Sequence, residues 1–194
     1  MQILSGSAHG LRLAVPRGTR VRPTSARVRT SLFSILAGTV PDARVADLFA
    51  GCGALGIEAL SRGAVACTFI ENARPALAAL RDNLRRAHLT SQAAVLAADA
   101  FAAIPLLEAA EHPPLDIVFL DPPYPILLHD RPRVLALMEA LAASPALAPH
   151  SLFVVQHDSR VVLPDLLGPL AATDRRGYGA TTLTFLEHPQ GSPN

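Results

Sequence analysis

Half of the 194 residues are hydrophobic, enough for one domain with a full core. The mean hydropathy of +0.31 comes from short apolar runs, none near the ~18 residues of a membrane helix, and residues 1–10 lack a signal-peptide pattern. Cys52 and Cys67 make no disulfide framework, so the chain reads as cytoplasmic, and the formal charge of +1 excludes little until it is divided along the chain.

Residues 1–41 carry Arg12, Arg17, Arg20, Arg22, Arg27 and Arg29 with no acid, a charge of +6, while the remainder has eleven arginines against sixteen acids, −5. A basic arm on an acidic body suits either a polyanionic partner or a solvated extension. Within the arm, Gly6, Gly10, Pro16, Gly18 and Pro23 point to a short hairpin or extended segment. Thr24 or Ser25 then caps a helix with Val28, Leu32, Ile35 and Leu36 on one face, closing at Gly38 and leaving Arg27 and Arg29 exposed.

From residue 44 onward strands and helices alternate. Strands are expected at Arg44 to Phe49, Val65 to Ile70, Ala93 to Ala98, Leu115 to Leu120 and Ser151 to Gln156, with helices near 54–62, 75–87, 100–110 and 133–143. This spacing argues for an α/β fold with parallel strands, right-handed crossovers and helices on both faces. Ala171 to Tyr178 and Thr181 to Glu187 follow with no helix between them and form a closing antiparallel hairpin, which brings the sheet to seven strands. Residues 42–188 make the body, and 189–194 form a disordered tail.

The first strand runs into Asp47-Leu-Phe-Ala-Gly51-Cys-Gly53-Ala-Leu-Gly56, and Glu71 ends the second strand twenty residues after Gly51. Glycines at this spacing let a nucleotide-like ligand approach the backbone, and the acid can hold its ribose. A carboxylate at Asp47 disfavours a dinucleotide pyrophosphate and suits an ammonium group. Asp99 closes the third strand as an acceptor for an adenine amine, with Phe101 as an aromatic wall. The set favours adenosylmethionine over a nicotinamide dinucleotide.

Strand four ends in Asp121-Pro122-Pro123-Tyr124. Successive prolines stiffen the backbone and remove two amide donors, so that acceptors dominate. Acceptors that take the hydrogens of a base amino group return electron density to a poorly nucleophilic nitrogen, and Tyr124 offers a stacking surface for an extruded base. The seven histidines and two cysteines show no metal-ligand spacing, and neither cysteine stands near strand four as a nucleophile.

Together these residues resemble the bacterial 16S ribosomal RNA guanine-N2 methyltransferases, the small-subunit methyltransferase D type. The resemblance rests on Gly10-Leu-Arg12-Leu13, Arg22-Pro-Thr24-Ser-Ala-Arg27-Val-Arg29, Leu32-Phe33, the glycine loop, Asp121-Pro-Pro-Tyr124 and Tyr178-Gly-Ala-Thr181. Ala26 and Thr30 stand where the family usually has acids, and Gln2 where it has arginine. The resemblance implies a Rossmann-like class I methyltransferase with S-adenosylmethionine held by Asp47, Phe49, Gly51, Gly53, Glu71, Asp99 and Ala100. Asp121, Pro122, Pro123 and Tyr124 would hold the guanine, and Arg12, Arg22, Arg27 and Arg29 the RNA. It further implies a monomer with no metal and no membrane partner, acting in rRNA processing on 16S rRNA in an assembled or assembling small subunit. Two alternatives stay open: an adenine-N6 DNA methyltransferase, for which 194 residues leave little room beyond the catalytic domain, and a non-catalytic RNA-binding or assembly module.

Overall fold

The computed structural model describes residues 1–16, 26–109 and 114–189. The expectations for Arg17, Arg20, Arg22, Thr24, Ser25 and the tail from 190 onward lie outside those residues. The chain divides into two compact units, Met1–Ala100 and Phe101–Asn194.

In the first unit the described arm folds back on itself through an antiparallel Gln2↔Arg12 bridge, with Ile3 N donating to Leu11 O at 2.9 Å. Helix α1 (Ala26–Ile35) follows, then a 3-10 turn, Leu36–Gly38. Its buried face is Val28, Arg29, Leu32 and Phe33. Ile35, expected inside, is 41% exposed, so the buried stripe is rotated toward Arg29 and Phe33. Strands β1 (Arg44–Asp47), β2 (Ala66–Glu71) and β3 (Ala93–Ala97) pair in parallel in the order β3-β2-β1. Register pairs Asp47 with Phe69 and Glu71 with Ala97, so the two acids stand at the carboxyl ends of neighbouring strands.

Helix α2 (Ala54–Ser61) is buried from Leu55 to Ser61. A Cβ on Gly56 would lie 2.3 Å from the Phe69 ring, so only glycine allows α2 to sit this close to β2. Helix α3 (Arg74–Arg86) is amphipathic, burying Ala76, Leu77, Leu80, Asn83 and Leu84. Its polar side carries exposed arginines.

In the second unit a 3-10 turn (Ala100–Ala102) leads into α4 (Ala103–Glu108), and β4 (Leu115–Leu120) is buried at five of six positions. Helices α5 (Tyr124–His129) and α6 (Arg131–Ala142) each carry proline in the first turn, where a missing amide costs nothing. Strand β5 (Leu147–Asp158) runs parallel to β4. Then β6 (Leu166–Leu167), β7 (Leu170–Tyr178) and β8 (Thr181–Glu187) add antiparallel pairings, in the order β4-β5-β8-β7-β6. Tyr178 pairs with Thr181 across a two-residue turn, and Gly179 supplies the positive φ, +64°, that such a hairpin needs.

The described residues hold eight strands rather than the expected seven, because Leu166–Leu167 adds a short edge strand to β7. The fold class is α/β and Rossmann-like. No helix among the described residues is long and apolar enough to cross a membrane.

Candidate functional site

The glycine loop begins where β1 ends. Asp47 is buried, and its Oδ2 accepts the Gly56 amide at 3.0 Å, capping the first turn of α2 from outside the helix. Gly51 and Gly53 have φ of +55° and +86°, which L side chains avoid. At Gly53 a Cβ would also strike Leu80 at 2.4 Å, whereas at Gly51 it would meet nothing within 4 Å. Gly53 therefore closes the loop against the core, and Gly51 presents open backbone.

Glu71 holds this loop from the neighbouring strand. Its Oε2 accepts Gly51 N at 2.8 Å, and its Oε1 accepts Asn72 N at 2.9 Å and Ala73 N at 2.8 Å, just ahead of α3. A carboxylate offers about four acceptor positions, so one remains beside these three amides. Phe49 is half-buried, Asp99 is exposed and Ala100 is buried. Burial pushes the Cys52 thiol up and the Cys67 thiol further up, which keeps both protonated and unreactive.

Two further side chains shape this region. Asn83, fully buried on α3, donates to Cys52 O at 2.9 Å and to Ala14 O at 3.0 Å, and accepts Ala14 N at 2.7 Å. It ties the arm to the glycine loop. The signal in the sequence is a lone amide among Leu77, Leu80 and Leu84 on the apolar face of a helix.

The second is Glu58, the one charged residue of α2. Fully buried, it accepts Arg62 Nε at 2.7 Å and Leu4 N at 2.7 Å, with Arg29 Nη1 at 3.8 Å. Arg29 is therefore corrected as an RNA contact. It is 1% exposed and donates from Nη2 to Gln2 O at 2.9 Å, so it cannot reach a phosphate. Burial lowers its pKa, and Glu58 opposes that shift. Arg12 and Arg27 are exposed.

In the second unit, Asp121 follows β4 half-buried, and its Oδ1 accepts Gln156 Nε2 at 2.9 Å. Gln156 is buried on β5, so its amide is fixed and turns the carboxylate with it. Pro122 is buried, while Pro123, with φ −49° and ψ 131°, precedes α5. Tyr124 opens α5, and its hydroxyl lies 2.9 Å from Thr181 Oγ1 at the start of β8. The neighbouring His157 is buried between Asp158 O at 3.0 Å and Thr184 Oγ1 at 2.8 Å. Burial lowers its pKa and keeps it neutral. Gln156 and Thr181 are candidate site residues that spacing did not indicate, because they lie 35 and 57 positions from their partners.

A separate groove of about 430 Å³ lies between Ser5–Gly6 and Arg62–Gly63, with Val40 and Pro41 along it. Its polar groups are already committed: Ser61 Oγ donates to Ser5 O at 2.6 Å, and Arg62 is bound to Glu58.

Comparisons with known proteins place these features among relatives. The model of a family described as "Conserved hypothetical protein 95" matches residues 1–187. "Putative rRNA methyltransferase YlbH" of Bacillus subtilis is 35% identical over 181 residues, covering 93% of this chain and 95% of that protein. "Ribosomal RNA small subunit methyltransferase D" of Escherichia coli is 40% identical over 124 residues, 64% of this chain and 60% of that protein. Among solved structures, "Putative methyltransferase yhhF from Escherichia coli" superposes with a TM-score of 0.79 at 33% identity, covering 97% of each chain.

Proposed function

The chain belongs to the "Conserved hypothetical protein 95" family, that of the small-subunit rRNA methyltransferase D proteins, and on that premise we propose that it methylates the exocyclic N2 of a guanine in 16S rRNA. The observation that carries the amine chemistry is the Gln156–Asp121 hydrogen bond of 2.9 Å, set at a strand end followed by two residues without amide hydrogens. A carboxylate aimed by a buried side chain, with no competing donor at positions 122 and 123, suits a substrate that brings its own donors. An exocyclic amine is such a substrate.

The residues present fit S-adenosylmethionine as the methyl donor. Gly51 presents open backbone, and Glu71 keeps an acceptor position toward a sugar hydroxyl. Asp47 with Phe49 and Gly53 would border the methionine end, and Asp99 with Ala100 the adenine. When bound, the donor supplies a methyl group on a sulfonium, whose C–S bond breaks as the N–C bond forms.

Asp121 accepts a hydrogen bond from the amine, which localises the nitrogen lone pair for attack, and it takes that proton as N2 becomes methylated. Tyr124 holds the ring of the flipped guanine, and its hydrogen bond to Thr181 fixes the plane against which the base stacks. These groups act by position and by taking the charge that develops. Arg12, Arg22 and Arg27 of the basic arm, residues 1–41, contact phosphates outside the target nucleotide. The protein works as a cytoplasmic monomer on the assembled or assembling small subunit.

The test is methyl transfer from labelled adenosylmethionine to free 16S rRNA, to assembled small subunits and to DNA. Label in RNA or subunits supports the reading. Label in DNA alone, or in no substrate while the donor binds, contradicts it.

A further inference from the structure

Arginines in the two units are used differently. Residues 101–194 hold five arginines against ten acids. Four of the five lie within 4.0 Å of an aspartate: Arg133 at 4.0 Å from Asp130, Arg160 at 2.8 Å from Asp158, Arg175 at 2.6 Å from Asp165 and Arg176 at 2.8 Å from Asp174. The fifth, Arg131, donates to Val162 O at 3.3 Å.

Residues 1–100 hold twelve arginines against six acids. There Glu58 takes Arg29 and Arg62, and Asp82 takes Arg85 and Arg86. Arg12, Arg27, Arg74 and Arg81 are exposed and form no ion pair among the described residues.

Two of those four belong to α3, not to the arm. Arg74 and Arg81 are seven residues apart, two helical turns, so they share one side of the helix with about 10 Å of rise between them. Leu77 and Leu84 stand three residues after Arg74 and Arg81, so the two arginines flank the buried face of Ala76, Leu77, Leu80, Asn83 and Leu84, and both are exposed. At the far end of α3, on the other flank of the helix, Arg86 Nη2 donates to Arg12 O at 2.7 Å and ties the arm there. The basic stripe thus runs from the residue after the Glu71-anchored turn through Arg74 and Arg81 along one flank of α3.

We infer that this flank of α3, through Arg74 and Arg81, binds the sugar–phosphate backbone of the RNA substrate. Exposed guanidiniums without acid partners release no internal ion pair on binding phosphate, and neutralising phosphate frees condensed counterions. The inference rests on the rRNA reading and extends the RNA surface beyond residues 1–41.

The test compares the full-length wild type with Arg74→Gln/Arg81→Gln and Arg74→Lys/Arg81→Lys, measuring affinity for deproteinised 16S rRNA between 50 and 200 mM salt. Adenosylmethionine affinity, read by calorimetry, reports intact folding of the first unit, and Arg176→Gln serves as a single-charge control in the second unit.

With two fewer phosphates neutralised, the Gln pair should show a log–log salt slope flatter by about 1.5 and binding weaker on the order of tenfold at low salt. The Lys pair and Arg176→Gln should keep the wild-type slope. An unchanged slope in the Gln pair overturns the inference while leaving the methyltransferase reading intact. Equal loss in the Lys pair also overturns it, since charge would then not be the cause. A wild type that neither binds nor methylates 16S rRNA would instead remove the reading on which the inference rests.

Discussion

The glycine loop and the Asp121–Tyr124 segment both present a carboxylate at the end of a strand, but they hold it by different means. Glu71 is gripped by three backbone amides, and Asp47 by the Gly56 amide. These acids shape the chain around them. Asp121 is gripped by a side chain, Gln156, in a stretch where two prolines remove the backbone donors. Binding and stability should therefore move together in the first region, whereas rate should move alone in the second.

The largest effect is expected at the buried charges that clamp the arm to α2. Glu58→Ala leaves Arg29 buried without its counter-charge and should cost about 3–5 kcal/mol in denaturant unfolding. Replacing Arg29→Met together with Glu58→Met should recover part of that loss, since Leu4 N and Arg62 still lose their acceptor. A Glu58→Ala protein within about 0.5 kcal/mol of wild type, the usual range for surface changes, would mean that the pair contributes nothing to the clamp.

Next comes Glu71→Ala, which removes the acceptor of three amides and the proposed ribose ligand together. Adenosylmethionine affinity should fall roughly ten- to a hundredfold, and the melting temperature should fall with it. Weaker affinity at an unchanged melting temperature would erase the proposed difference between the two regions.

Smaller effects are expected beside Asp121. Gln156→Leu should lower kcat about tenfold, as one hydrogen bond to a charged group is lost, with melting temperature and donor affinity near wild type. Tyr124→Phe keeps the ring but loses the Thr181 contact, so a loss of only a few-fold is expected. Should Gln156→Leu instead weaken donor binding and leave kcat alone, the glutamine is not orienting the carboxylate.

The elements most legible in the sequence were those closed by strong local signals. Strand Leu115–Leu120 stops at the prolines, and Thr181–Glu187 starts after Gly179, so both have the expected bounds. By contrast, β5 begins four residues before Ser151, because Leu147 still pairs with Leu115 across an irregular register that Pro149 and the exposed His150 disguise as a loop. Helix α5 is six residues long and headed by prolines, too short to show a periodicity.

Arg29 and Ile35 exchanged places because hydrophobic spacing cannot register a buried ion pair whose partner, Glu58, lies 29 positions away. The same reason hid Asn83, Gln156 and Thr181. Each is a polar side chain whose meaning comes from a group distant in sequence.

The most direct test of the account is the nucleoside formed when wild type and Asp121→Ala act on 16S rRNA with adenosylmethionine, identified by mass spectrometry after digestion. The wild type should yield N2-methylguanine. Asp121→Ala should yield it a hundred- to a thousandfold more slowly, by analogy with the loss of roughly one transition-state hydrogen bond, at near-normal donor affinity. N6-methyladenine as the product, or a fully active Asp121→Ala protein, would contradict the claim that Asp121 accepts the guanine amine.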